Sequence, residues 1–161
     1  MTILVAYYSK TGNTKFAAEK IAGFLHAELC EIWDKKNRKG IWGFINGSLD
    51  ARREKITEIE ASQSAENYEL VIAGSPVWFG KMAPATRTFL LQNDSSSRKV
   101  AFFLTSGSSD SEKAMGNMKK SVDESFHIKE IEGLTVSKAL EQKEETTEQI
   151  EEWCKKLQAL L

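Results

Sequence analysis

The chain opens on Ile3-Leu4-Val5-Ala6-Tyr7-Tyr8, an unbroken apolar run rich in β-formers that stops abruptly at Ser9-Lys10-Thr11-Gly12-Asn13-Thr14. A run this short, with no polar alternation, predicts a strand buried on both faces, which is the condition of a parallel sheet covered by helices. Past Gly12 the period turns helical, with Ala17, Ile21 and Phe24 at i, i+4 and i+7. Strand, polar turn and helix together make one βα unit. The unit recurs. Ala27 to Trp33 reads as a weaker strand, Glu69 to Ala73 and Lys99 to Leu104 as clear ones, and His127 to Leu134 as the last. Pro84 suits the first turn of a helix running to about residue 92, where a missing N–H costs nothing. Ser109-Asp110-Ser111-Glu112 has the form of a capping box ahead of Ala114, Met118 and Val122 on one helical face. Ile150, Trp153, Cys154, Leu157 and Leu161 mark a final helix.

Strands alternating with helices predict a three-layer α/β/α fold, with right-handed crossovers placing helices on both faces of a five-stranded parallel sheet. In such sheets ligands bind beyond the carboxyl ends of the strands, where the strand order reverses. The loops after the first, third and fourth strands are therefore the places to look for function. Residues 34–67 fit the alternation least: Asp34 to Gly40 is basic and loop-like, and Ile41-Trp42-Gly43-Phe44-Ile45 is apolar without a clear period. A connection this long carries structure of its own or serves as a functional loop.

Length and charge narrow the classes. A chain of 161 residues predicts a single domain over 1–161 with one sizeable core. Lys plus Arg number 22 against 23 Asp plus Glu, so no bulk field draws the chain to nucleic acid or to an anionic membrane. No apolar run approaches a membrane span, and residues 1–8 lack the basic flank and small-residue site of a signal peptide, so they are expected in the mature fold. Cys30 and Cys154 match no zinc or disulfide spacing, which suits a reducing cytoplasm.

In the first loop, Ser9, Thr11 and Thr14 supply hydroxyls and Gly12 exposes backbone, all at the positive end of a helix dipole. That combination suits a phosphate. It is not a Walker A loop, because no glycine stands five residues before a Gly-Lys-Ser/Thr run. A plain turn and cap would explain one or two of the hydroxyls, not all three. The second loop, Gly74 to Pro84, sets Trp78 and Phe79 between glycines, offering a flat surface for a planar ring or simple packing against a neighbouring loop. The third, Thr105-Ser106-Gly107-Ser108-Ser109-Asp110, offers small residues to edge a flat polar ligand, or a plain helix entry.

Tyr8 to Thr14 resembles the flavin mononucleotide phosphate loop of the flavodoxin family, and Gly74 to Pro84 and Thr105 to Asp110 resemble that family's second and third flavin loops. The resemblance implies strand order 2-1-3-4-5 and noncovalently bound FMN. It implies that Ser9, Thr11, Gly12, Asn13 and Thr14 hold the phosphate, with Lys10 contributing mainly backbone. Ser75, Pro76, Val77, Trp78, Phe79 and Gly80 would form the second loop, Trp78 stacking on the ring and the Phe79–Gly80 peptide facing flavin N5. Thr105, Ser106 and Gly107 would border the pyrimidine end. Glycine at position 80 would ease the peptide rotation that lets a protein bind the flavin's redox states unequally. The implied role is electron shuttling between cytoplasmic redox partners, a reductase donor and an acceptor. The near-neutral charge and the absence of an aromatic from Thr105 to Asp110 depart from the family's habit. One ring face is then open, or covered by Trp42. An open face would admit a second planar molecule, which keeps an FMN-dependent NAD(P)H:quinone-type oxidoreductase as an alternative, a reading that goes with a homodimer rather than a monomer. A flavodoxin-shaped interaction module without flavin is the second alternative.

Other chemistries fit less well. His26 and His127 have no partners at metal-ligand spacing. Lys36 stands where a Cys-x5-Arg phosphatase loop from Cys30 would need arginine, and Tyr7-Tyr8 and Gly74-Ser75 stand where a receiver domain would need acids. Lys35, Lys36, Arg38, Lys39, Arg52, Arg53 and Lys55 read as solvated surface rather than a docking patch, and Glu141 to Glu152 as an exposed helix face.

Overall fold

The computed structural model describes residues 1–36, 40–53, 55–93, 99–107, 111–123 and 133–160. Strand β1 (Ile3–Tyr8) leads into helix α1 (Asn13–Leu25), β2 (Glu28–Asp34), α2 (Gly40–Arg52), β3 (Ile59–Ala61) and β4 (Leu70–Trp78). After these come β5 (Lys81–Met82), α3 (Pro84–Gln92), β6 (Lys99–Ser106), α4 (Ser111–Asp123), β7 (Leu134–Ser137) and α5 (Lys143–Leu160). The sheet runs β3-β2-β1-β4-β6-β7, with β5 paired to β4. Its five parallel members, β2-β1-β4-β6-β7, stand in the expected order 2-1-3-4-5. β3 and β5 are additions, both antiparallel.

Side-chain alternation along the strands sorts the core into two faces. Val5 and Tyr7 of β1 and Ala101 and Phe103 of β6 pack with Ile21 of α1 and Ile150 and Trp153 of α5. Leu4, Ala6 and Tyr8 point the other way, toward Phe89 of α3, and Val100, Phe102 and Leu104 toward Leu90 of α3 and Ala114 of α4. This is why the strands read as continuously apolar: both faces are buried. Gly74 is set by the same packing. Paired with Phe103 across β4 and β6, it leaves room for that ring, and a Cβ there would collide with Phe103 Cζ.

Several expectations need correction. The third parallel strand does not end at Ala73 but runs to Trp78, so the stretch after Gly74 is strand and hairpin rather than open loop. The last strand is Leu134–Ser137, later than predicted, and His127 lies outside the described residues. Phe24 is 36% exposed, and Leu25 takes the core position at the end of α1. His26 adopts the left-handed C-cap of that helix, donating its N–H to the Ala22 carbonyl. The capping residues Ser109 and Asp110, the basic Arg38 and Lys39, the side chains of Trp42, Met118 and Val122, and Leu161 lie outside what is described.

The stretch 34–67 contributes α2 and β3. Its polar side chains pin it to the sheet. Thr57 Oγ1 donates to Asp34 Oδ1 at 2.8 Å, the Thr57 N–H donates to Thr88 Oγ1 at 3.0 Å, and nearly buried Asp50 pairs with Lys36 at 3.1 Å and Lys55 at 3.8 Å. Part of the basic cluster is thus neutralised within the fold. α2 lies against β4, β5 and α3, beside the hairpin that follows β4.

Candidate functional site

The first loop leaves the carboxyl end of β1 and closes onto α1 at Gly12, whose φ of +92° is a left-handed conformation that costs an L side chain about 1–2 kcal/mol. With glycine at the N-cap, no side chain caps the first turn of α1. The helix therefore presents its opening amides and the positive end of its dipole outward, the arrangement that receives an anion. Within the loop, the Gly12 N–H donates to Ser9 Oγ at 3.2 Å.

Asn13 acts as a brace. Its Nδ2 donates to Thr11 Oγ1 at 3.1 Å, and its Oδ1 accepts from the Leu140 N–H at 3.0 Å, tying the loop to the start of the β7–α5 connection. The side chain thus shapes the loop. Thr14 is 1% exposed, and its hydroxyl shares a 2.8 Å hydrogen bond with the buried Thr105 hydroxyl on β6. First and third loops are joined by that pair. The Ser106 and Ser137 hydroxyls lie 3.4 Å apart, and the Ser106 carbonyl accepts from the Lys138 N–H, so the ends of β6 and β7 are fastened too. Gly107 is exposed.

The second loop is a β-hairpin. Trp78 pairs with Lys81, leaving Phe79 and Gly80 as the two turn residues, with φ of +50° and +70°. Positive φ at both positions defines a type I′ turn, the one whose twist matches the strands it joins. The Ser75 side chain is fully buried. Its hydroxyl donates to the Pro76 carbonyl at 3.0 Å and accepts from the Ala83 N–H at 2.8 Å, so it fastens the base of the hairpin. Pro76 and Val77 are half-buried.

Trp78 is only 5% exposed. Tyr8 meets it edge to face at 5.7 Å, and the Lys10 ammonium lies 5.9 Å from its ring centroid. Tryptophan here bridges the first and second loops from within, and lysine contributes a side chain that the sequence reading had discounted. Phe79, in contrast, is 70% exposed at the hairpin tip. Asn117 of α4, which sequence reasoning did not single out, donates from Nδ2 to the Gly80 carbonyl at 2.9 Å. The only signal for it is a polar residue one turn beyond the core-facing Ala114.

Among the described residues, three displaced titrations lie away from the loops. Burial, then the Glu31 carboxylate, push the Tyr7 phenol well above its usual range, and burial pushes the Cys154 thiol up to about 12. Glu69, which accepts the Thr2 N–H and faces the chain's amino terminus, is held below the ordinary carboxylate range. None of these groups belongs to the three loops. What the loops offer is backbone amides, hydroxyls and an aromatic.

A family model described as Flavodoxin matches residues 2–157, nearly the whole chain. The chain belongs to the flavodoxin family. Solved structures with the same flavodoxin architecture include a flavoprotein from Lactobacillus acidophilus NCFM in complex with FMN, with 24% identity, TM-score 0.68, and coverage of 89% of this chain and 97% of that one. The apo-form of the flavoprotein from the same organism matches with 25% identity and TM-score 0.66, covering 88% of this chain and 95% of the other. Oxidised flavodoxin 2 from Bacillus cereus matches with 23% identity and TM-score 0.62 over 96% of this chain and 95% of that one. Among the described residues, no helix is long and apolar enough to cross a membrane.

Proposed function

We propose that residues 1–161 form a single domain that binds FMN noncovalently at the carboxyl ends of β1, β4 and β6, and that it carries electrons between cytoplasmic redox proteins. The observation that carries this reading is the start of α1: a left-handed glycine at the N-cap, no side-chain cap, and hydroxyls on either side. A phosphate monoester fits such a cradle, since a helix N-terminus favours negative charge by about 0.3–1 kcal/mol, more when partly buried. Residues Ser9, Thr11 and Thr14 would supply hydroxyls, Asn13 and Thr14 amides, and Gly12 the left-handed start that exposes them. Asn13 would hold the loop's shape. Thr105 to Gly107 would border the ring's polar end, and the exposed Phe79 would offer it an aromatic face. Bound FMN supplies one- and two-electron chemistry; the protein's part is to orient the ring and set its surroundings.

The membership of the chain in the flavodoxin family supports this reading. A second reading, an FMN-dependent NAD(P)H:quinone-type oxidoreductase, gains from the openness of Phe79, which leaves an aromatic surface reachable by another planar molecule. The test is direct. The purified protein should be yellow, or become so when titrated with FMN, and should take electrons from a nicotinamide donor only with a separate reductase. Turnover with the nicotinamide donor and a quinone alone selects the enzyme. A colourless protein that ignores added FMN leaves a flavin-free interaction module.

A further inference from the structure

Helix α2 is built inside out. Among its described residues, Gly43, Gly47, Asp50 and Ala51 are buried, whereas Ile45, Asn46, Leu49 and Arg52 are exposed, as is Arg53 directly after it. Helical spacing puts Ile45, Leu49, Arg52 and Arg53 on one side and the two glycines with Ala51 on the other. A surface helix ordinarily turns its large apolar side chains inward and its polar ones out. Here the small residues take the inner side. Ile45 and Leu49, each 40% exposed, take the outer one, and Ile56 is 66% exposed just past the helix end. Grouped apolar side chains with a charged rim mark an interaction surface, whereas single ones need no account.

The charge beside this stripe has one sign. Asp50, the acid of α2, is turned inward and faces Lys36 at 3.1 Å and Lys55 at 3.8 Å, two cations against one carboxylate. From 34 to 55 the chain carries seven basic residues against three acids, and from 141 to 152 six glutamates against one lysine. The near-neutral total therefore conceals two poles, because α2 meets α3 on one face of the sheet and α5 lies on the other. The same α2 packs on β4 and β5, the strands of the hairpin whose tip exposes Phe79, so the basic pole borders the proposed flavin end.

We infer that the outer side of α2 docks a redox protein whose contact patch is acidic around an apolar centre, with Ile45 and Leu49 seated on that centre and Arg52 and Arg53 facing the acids. Anchors inside a charged rim divide the work of such interfaces: the apolar groups hold, and the charges steer and select. A second copy using the same face would bring two basic sides together with no described acid to answer them. An anionic bilayer would meet the same positive charge, yet it takes up apolar side chains that reach the acyl boundary, and Ile45 and Leu49 are more than half covered. That the occupant is a redox protein rests on the function proposed above; the polarity and apolar centre of the surface do not.

An acidic plant-type ferredoxin serves as the probe, with binding to the full chain measured by titration calorimetry with and without FMN. It should bind at about 0.01 M salt and weaken about tenfold by about 0.15 M, as the Debye length shortens from about 30 Å to about 8 Å. At the lower salt, Arg52→Glu/Arg53→Glu should weaken binding about tenfold, while Lys155→Glu/Lys156→Glu, which makes the same charge exchange at exposed sites on α5, should change it less than about twofold. Leu49→Asn should weaken it about fivefold at both salts, because apolar burial is not screened. Equal losses in the two charge variants reduce the effect to net charge and overturn the docking face, as does the absence of ferredoxin binding. Binding to phosphatidylglycerol vesicles that Leu49→Asn abolishes assigns the face to a membrane instead, and a native dimer that Leu49→Asn splits in sedimentation velocity assigns it to a second copy; either overturns the proposal. With FMN bound, stopped-flow mixing with reduced ferredoxin should show its cluster losing one electron to the flavin, slowed by Arg52→Glu/Arg53→Glu in step with affinity. Docking through this face with no transfer keeps the acidic partner and overturns the redox function. Normal transfer that ignores all the α2 variants overturns the surface and leaves that function standing.

Discussion

The loop after β1 and the hairpin after β4 meet at the same end of the sheet, joined by Tyr8 against Trp78, yet they are built on opposite plans. In the first, Thr11 is exposed and Gly12 gives the helix an uncapped start, and of the three hydroxyl residues only Thr14 is buried. In the second, the residues that look functional point inward. The Ser75 hydroxyl and the Trp78 ring are consumed in holding the hairpin to the sheet, and only Phe79 and the Gly80 backbone remain at the tip. A ligand loop on a helix N-terminus binds with backbone and small hydroxyls, so its letters and its contacts coincide. A ligand loop on a hairpin must first be a hairpin, and its larger side chains serve that end.

The sharpest way to break this contrast is Trp78→Ala. Removing a buried, edge-stacked tryptophan should cost about 3–5 kcal/mol of unfolding free energy by urea titration, whereas Phe79→Ala, at an exposed tip, should stay within about 0.5 kcal/mol of native. A mild Trp78→Ala and a severe Phe79→Ala would reverse the assignment of inner and outer aromatic.

The next effects belong to the first loop. Thr11→Val keeps the shape and removes a hydroxyl from the proposed phosphate cradle. If that hydroxyl donates to a charged phosphate, FMN affinity should fall by about 1.5–3 kcal/mol in a fluorescence titration, with the urea midpoint unmoved. Equal affinity would take Thr11 out of the site. Gly12→Ala forces a Cβ into φ +92° and to 3.3 Å from Leu140 Cδ1. It should lose about 1–2 kcal/mol of stability from backbone conformation and weaken FMN as the amides shift. A variant with native stability and affinity would show that the left-handed start is dispensable.

The same contrast explains what could be read ahead of the structure. Burial on both faces of a parallel sheet leaves an unbroken apolar signature, so β1 and β6 were legible residue by residue, and with them the layered fold and the strand order. Gly12 was legible because a polar turn entering a helix has few other uses for it. The burial of Trp78 could not be read ahead, because an aromatic between glycines looks alike in sequence whether it is covered or bare; its cover comes from Tyr8 and Lys10, distant from it in sequence. β3 and β5 are too short to carry a period. Asn117 and the Leu140 amide act through contacts made only by the tertiary fold.

The smallest effect separates the two loops together from the core beneath them. With the Cys154 and Tyr7 titrations raised by burial in the core, alkaline loss of stability is expected to originate there. Cys154 is 2% exposed, and burial lifts its thiol from 9.0 to about 12. A raised folded-state pKa means the folded chain binds the proton more tightly. The stabilisation is complete below the unfolded value of about 9 and is lost as pH climbs toward 12, at no more than about 1.4 kcal/mol per pH unit for one proton. Tyr7, raised above 10.0, adds a second loss that begins about one unit later. Urea midpoints measured from pH 8 to 10.5 should fall less steeply in Cys154→Ala than in the native chain, while Thr11→Val follows the native slope. If Cys154→Ala leaves the slope unchanged and Thr11→Val flattens it, the titrating group lies at the loops, and the division between a proton-inert ligand end and a titrating core fails.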